Sequence, residues 1–115
     1  MMASLKTVVW NCASLRAGAV SSQGKALYFE KEYKKSFQVA FFVETHHKSL
    51  TDITPEILRY QTDYHIVHSP VSGIETHAGI IGLISKKYDI IEKKELLPGR
   101  ILNVKIKGEA NRRRD

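Results

Sequence analysis

Gln38-Val39-Ala40-Phe41-Phe42-Val43-Glu44-Thr45 is the stretch on which the fold turns. Apolar residues run without a break from Val39 to Val43 and stop at a carboxylate. An unbroken apolar run, as opposed to alternation, belongs to a strand covered on both faces. The expected strand is Gln38–Thr45. Upstream of it, Ala26, Phe29, Tyr33 and Phe37 recur at spacings of three and four with Lys and Glu between them, which predicts a helix over Lys25–Phe37. Before that, Ala13–Gly24 is rich in Ser, Ala and Gly and reads as a loop. Leu5–Cys12 contains Val8-Val9-Trp10, a β-branched and aromatic run that predicts a strand. Strand, helix, strand in sequence predicts two neighbouring parallel strands.

Downstream, Thr54-Pro55-Glu56 is a helix start, with a capping hydroxyl, a proline at the first helical position and an acid in the first turn. That helix is expected to end near Gln61. Tyr64–His68 is a short strand, Pro70–Glu75 a turn, and Ala78–Ser85 a second apolar strand whose glycines permit close backbone approach. Asp89–Leu97 reads as an edge or hairpin strand and Pro98-Gly99 as a turn. In Ile101–Lys107 the residues Leu102, Val104 and Ile106 alternate with Asn103, Lys105 and Lys107, the pattern of a half-buried strand. Early parallel and later antiparallel pairing give an α+β class: a mixed β-sheet with helices on one face. The other face is also apolar, and no segment reads as a second layer to cover it. Self-association through that uncovered face is therefore expected.

The chain has 115 residues, room for one domain or a piece of one, and 43% are hydrophobic, which excludes a disordered chain. A formal net charge of +6, concentrated in Lys34-Lys35, Lys86-Lys87, Lys93-Lys94 and Arg112–Arg114, favours polyanion partners. A single cysteine, Cys12, excludes an internal disulfide and a cysteine-rich zinc site. No run approaches the roughly 18 apolar residues of a membrane span, and residues 1–12 lack a secretory signal's apolar segment. An intracellular setting, nuclear or cytoplasmic, is the expectation.

Two polar residues fall where chemistry gathers. Asn11 ends the first apolar strand and Glu44 ends the second. Loops beyond strand ends are where such sheets collect ligands. If the two strands are neighbours, the residues converge at one edge of the sheet. Their carboxylate and amide oxygens are hard ligands for Mg²⁺ or Mn²⁺, and such an ion stabilises a phosphodiester under attack by water. The plainer reading is that each residue ends its strand and bonds a loop. His46 and His47 should point apart in extended chain, as should His65 and His68, so all four read as surface or loop histidines. His46 stands nearest to Glu44 and is a candidate phosphate contact. Cys12 reads as a core residue.

Trp10-Asn11-Cys12-Ala13-Ser14-Leu15-Arg16 resembles the opening motif of the endonuclease/exonuclease/phosphatase superfamily, and Glu44-Thr45-His46 resembles its metal-binding glutamate motif. Ala78–Ser85 is similar to the glycine-containing strand that follows, and Pro98-Gly99-Arg100-Ile101-Leu102 to its glycine-arginine strand start. The order is kept over nearly the whole chain. The Trp-Asn-Cys and Glu-Thr-His forms look most like the endonuclease domains of non-LTR retrotransposons, relatives of the abasic-site endonucleases. The resemblance implies that residues 1–108 are a truncated domain of this superfamily, half of a four-layer α/β/β/α sandwich, and that residues 109–115 are a polar basic tail. It implies Mg²⁺ (or Mn²⁺) as cofactor, DNA as partner, Asn11 and Glu44 as catalytic and metal-site residues, and Arg100 as a DNA-phosphate contact.

Two departures limit what the resemblance implies. Ala13 stands where many relatives have Asp or Asn. The later motifs of the superfamily are missing: the tyrosine strand, the Asp-x-Asn that positions water, and the terminal Asp-His pair. The expected function is the N-terminal part of a metal-dependent DNA phosphodiesterase, inactive alone. The alternatives are a non-enzymatic basic remnant that binds nucleic acid, and part of a phosphatase for a lipid or small phosphoester.

Overall fold

In the computed structural model, which describes residues 5–18, 21–72 and 77–108, the run Val39–Val43 is an inner strand. It is β2 of a mixed sheet with β1 (Thr7–Asn11), β3 (Tyr64–Ser69) and β4 (Ile80–Ser85), in the order β1-β2-β4-β3. β1 and β2 are parallel, with Thr7 opposite Val39 and Asn11 opposite Val43. β4 runs antiparallel to both of its neighbours. The β1–β2 crossover carries helix α1 (Ser22–Tyr33). The short helix α2 (Pro55–Leu58), between 3-10 turns at Leu50–Asp52 and Arg59–Thr62, leads into β3. β5 (Asp89–Leu97) and β6 (Ile101–Lys107) form a separate antiparallel hairpin. The class is α+β, as the sequence predicts.

Pleating sends alternate residues of β2 to opposite sides. Ala40 and Phe42 enter the larger core with Ile81 and Leu83 of β4, Phe29 and Ala26 of α1, and Ile57 of α2. Phe29 stands at the centre of an aromatic cluster, edge-on to Phe42 and Phe37 at 4.8 and 5.2 Å between ring centres. Val39 and Phe41 enter the second core with Val67 and Ile84. There Gly82 lies opposite Phe41, and the aromatic ring rests against its bare backbone, where a Cβ would also fall 2.8 Å from Val67 Cγ2.

The structure corrects the expectation that nothing covers the second face. The β5–β6 hairpin does, packing Ile90, Leu102, Val104 and Ile106 over Val39, Val67 and Ile84. Each hairpin strand looks too polar to be a layer, because only its inward residues contribute. Coverage stops short of the sheet edge, and Val9 of β1 remains 69% exposed.

Two boundary expectations also change. Helix α1 begins at Ser22, not Lys25, and ends at Tyr33, because Lys34 and Lys35 both adopt left-handed backbone (φ 45° and 60°). Phe37 reaches the same core from coil and stacks on Tyr64, so its helical spacing from Tyr33 was fortuitous. Thr54 supplies no side-chain cap; its hydroxyl donates to Glu56 Oε1 (2.6 Å), which also accepts from a neighbouring group on α1 by its other oxygen, Gln23 Nε2 (2.8 Å). The expected turn at Pro70–Glu75 and the basic tail at 109–115 lie partly and wholly outside the described residues.

Candidate functional site

Parallel β1 and β2 end at the same edge of the sheet, so Asn11 and Glu44 arrive together. Asn11 Nδ2 donates to Glu44 Oε2 at 2.9 Å, and both side chains are exposed. The chain then leaves the sheet through left-handed backbone at Ala13 (φ 52°), Ser14 (φ 102°), Glu44 (φ 58°) and His46 (φ 62°). Non-glycine residues adopt this conformation at a cost of roughly 1–2 kcal/mol each and collect at sites of function. Continued backbone pairing holds them there. Ser14 N–H donates to Glu44 O (2.7 Å), Leu15 N–H to Thr45 O (3.0 Å), and His46 N–H to Ala78 O (2.8 Å). Gly79, at φ 112°, is packed against Thr45 and the His46 backbone where no side chain fits.

Two cations, Lys25 and Arg16, act on the same corner as Glu44, where both influence His46. Lys25 Nζ, from the first turn of α1, donates to Ala13 O (2.8 Å) and Ser14 O (3.3 Å). His46 lies against His77, 5.3 Å between ring centres, within the fields of Glu44, Lys25 and Arg16. Burial first, then His77, holds the His46 pKa below its ordinary value. The Pro98–Arg100 turn docks on the same edge: Gly79 N–H donates to Gly99 O (2.8 Å), and Gly99 N–H to Ser69 Oγ (2.6 Å). Arg100 is thereby carried to this edge and is exposed.

The donor set suits a hard cation. With Asn11 Nδ2 engaged by Glu44, Glu44 Oε1 and Asn11 Oδ1 are the remaining oxygens of the pair. Mg²⁺ is commonly held by only one or two carboxylates, with water and substrate phosphate completing its shell. Among the described residues no cluster of three or more His, Cys, Asp or Glu stands ready to hold a metal. The pair by itself offers an ion two oxygens, and the rest of an octahedral shell would come from other groups. Cys12 is buried, with its thiol pushed up to about 11 by burial, which leaves it chemically quiet.

One histidine expectation is overturned in part. His47 lies in a loop but not at the surface; it is fully buried, with Nδ1 2.6 Å from Thr45 Oγ1 and Nε2 3.0 Å from His68 Nδ1. His65 does face the opposite side of β3, where Nε2 meets Tyr88 O at 2.9 Å. The places of Lys25, Arg16 and His77 near His46 have no sequence signature, because each arrives from a different segment. No family model and no curated protein matches this chain.

Proposed function

We propose that this edge is the metal- and phosphate-holding part of a phosphodiesterase site directed at DNA. The observation that carries the reading is the Asn11–Glu44 pair, a carboxylate on a strained turn, with His46 two residues on lying in the fields of Lys25 and Arg16. A carboxylate gives a divalent cation its anchor, and the charges of Lys25 and Arg16 attract phosphate. When bound, the cation would neutralise charge on the phosphate under attack. Asn11 orients the carboxylate, and the exposed Arg100 supplies a contact for the DNA backbone.

Among the described residues no group of three or more His, Cys, Asp or Glu that could hold a metal forms around Glu44. Groups that act as a unit lose nearly all rate when several are missing. The chain alone is thus expected to bind metal and DNA without turnover.

Mn²⁺ titration followed by paramagnetic broadening tests the site. Broadening should centre on Asn11, Glu44 and His46 and disappear in Glu44→Gln, which removes the charge at nearly constant volume. Equal broadening in both proteins would refute the assignment. In a supercoiled-plasmid assay with Mg²⁺, nicking by the native chain that vanishes in Glu44→Ala would overturn the expected inactivity.

A further inference from the structure

Behind the exposed site lies a buried polar chain with no role in the chemistry above. Thr45 Oγ1, His47 Nδ1, His47 Nε2 and His68 Nδ1 follow one another at 2.6 and 3.0 Å across the His47 ring. Thr45 and His47 are fully buried. The same short segment carries Glu44 and His46 in left-handed backbone, and His47 O accepts from Val71 N–H (2.9 Å). The chain therefore ties the turn after β2 to β3 and to the segment that follows β3.

We propose that Thr45, His47 and His68 form a proton-operated latch. Two neutral rings hold the turn that presents Glu44, and protonation of the pair releases it. The chemistry follows from the inventory of ring nitrogens. Each neutral imidazole has one donor and one acceptor, so two neutral rings and one hydroxyl can satisfy both bonds in either direction. A first proton keeps both bonds, but on His47 it places a charge where there is no solvent. A second turns His47 Nε2 and His68 Nδ1 into facing donors, and the bond between them is lost.

The charged groups that face the pair do not rescue it. Asp52 from the 3-10 turn is the carboxylate acting on His47, and its Oδ2 already accepts from Arg16 Nε (3.3 Å) and Lys48 N–H (3.1 Å). His68 faces Lys93 and Glu95 of β5, which oppose each other, and Glu95 Oε1 accepts from Ser69 Oγ (2.7 Å). Burial, followed by the partner ring, pushes His47 down to about 4, and His68 is lowered as well. The latch concerns the geometry of the turn and stands whether or not Glu44 holds a metal.

The test is a metal-free NMR titration of the 115-residue chain from neutral to acidic pH. Ring signals of His47 are followed beside the backbone amides of Thr45, His46 and Val71, with Phe42 and Leu83 as core reporters. The expected result is one curve shared by the His47 ring and the three turn amides, with its midpoint below the ordinary histidine value of 6.5 and the core amides unmoved. His47→Gln should abolish that curve. His68→Asn keeps a hydrogen-bonding group that takes up no proton and can turn its oxygen to His47 Nε2, so His47 should titrate while the turn amides lose most of their response. Turn amides that follow a different curve from the ring, that still move in His47→Gln, or that move only with Phe42 and Leu83 would each overturn the latch. The wild-type curves alone decide the matter if a variant does not fold.

Discussion

At the scale of single residues, the molecule places its strain and its buried polarity side by side. Glu44 is exposed on left-handed backbone; three residues later His47 is sealed in the interior. The buried ring gives stability a definite pH dependence. Its folded-state pKa is pushed down to about 4 from an ordinary 6.5, so as pH falls the unfolded chain takes up this proton first. The stabilisation is whole above 6.5 and is lost as pH falls toward 4. A shift of this size corresponds to up to about 3 kcal/mol. Urea midpoints measured at intervals across that window should fall in the native chain and flatten in His47→Gln. Parallel profiles for the two proteins would remove His47 as the cause.

At the scale of elements, the β5–β6 hairpin decides whether the sheet has one apolar face in water or two covered faces. The inward residues of β6 alternate with Asn103, Lys105 and Lys107, and Leu102, Val104 and Ile106 pack on the second core while Lys105 points away toward Glu92 (3.9 Å). Truncating Val104 to alanine should therefore destabilise by about 1–2 kcal/mol, the value of a half-buried branched side chain. Lys105→Ala should fall within about 0.5 kcal/mol of the native chain, since an exposed ion pair is worth little. Equal losses in the two variants, read from denaturant midpoints, would mean that the hairpin does not pack on the sheet in solution. The hairpin also reaches the candidate site, because Ser69 and Gly79 clasp the turn at Gly99. Loss of packing at Val104 should then broaden the amide signals of the Ala78–Ile80 segment.

At the scale of the whole molecule, a net charge of +6 and several uncovered apolar side chains act together. Lysine and arginine contacts to phosphate release counterions, so DNA affinity should drop steeply between about 50 and 200 mM salt and depend little on sequence. Anisotropy titrations with two unrelated duplexes check this; affinity insensitive to salt would exclude a backbone-dominated mode. Val9 at the β1 edge and Ile91, Leu96, Leu97 and Ile101 on the hairpin are each about half exposed or more. Such surfaces favour association, and concentration-dependent mass in sedimentation, with binding of a dye for apolar surface, is the expected outcome. Among the described residues no helix is long and apolar enough to cross a membrane.

The sequence by itself determined the strands, because each carries a pattern that is local. Val39–Val43 is continuous, Ile101–Lys107 alternates, and Asp89–Leu97 and Ile101–Lys107 have the bounds read from residue type alone. It also determined that Asn11 ends β1 and that Glu44 closes the second apolar run, though the structure puts Glu44 one residue past β2, and a parallel pairing then had to bring them together. Only the tertiary structure decided what required distance in sequence to become contact in space. Phe37 belongs to the helix-side core though it is not helical, since a ring can reach one cavity from two backbones. The hairpin covers the second face because half of a polar-looking strand is enough to make a layer. His47 and His68, 21 residues apart, meet because β3 and the turn after β2 reach the same end of the sheet. Local pattern records which way a side chain points, not what waits there, and the partner of a buried polar group is settled by packing alone.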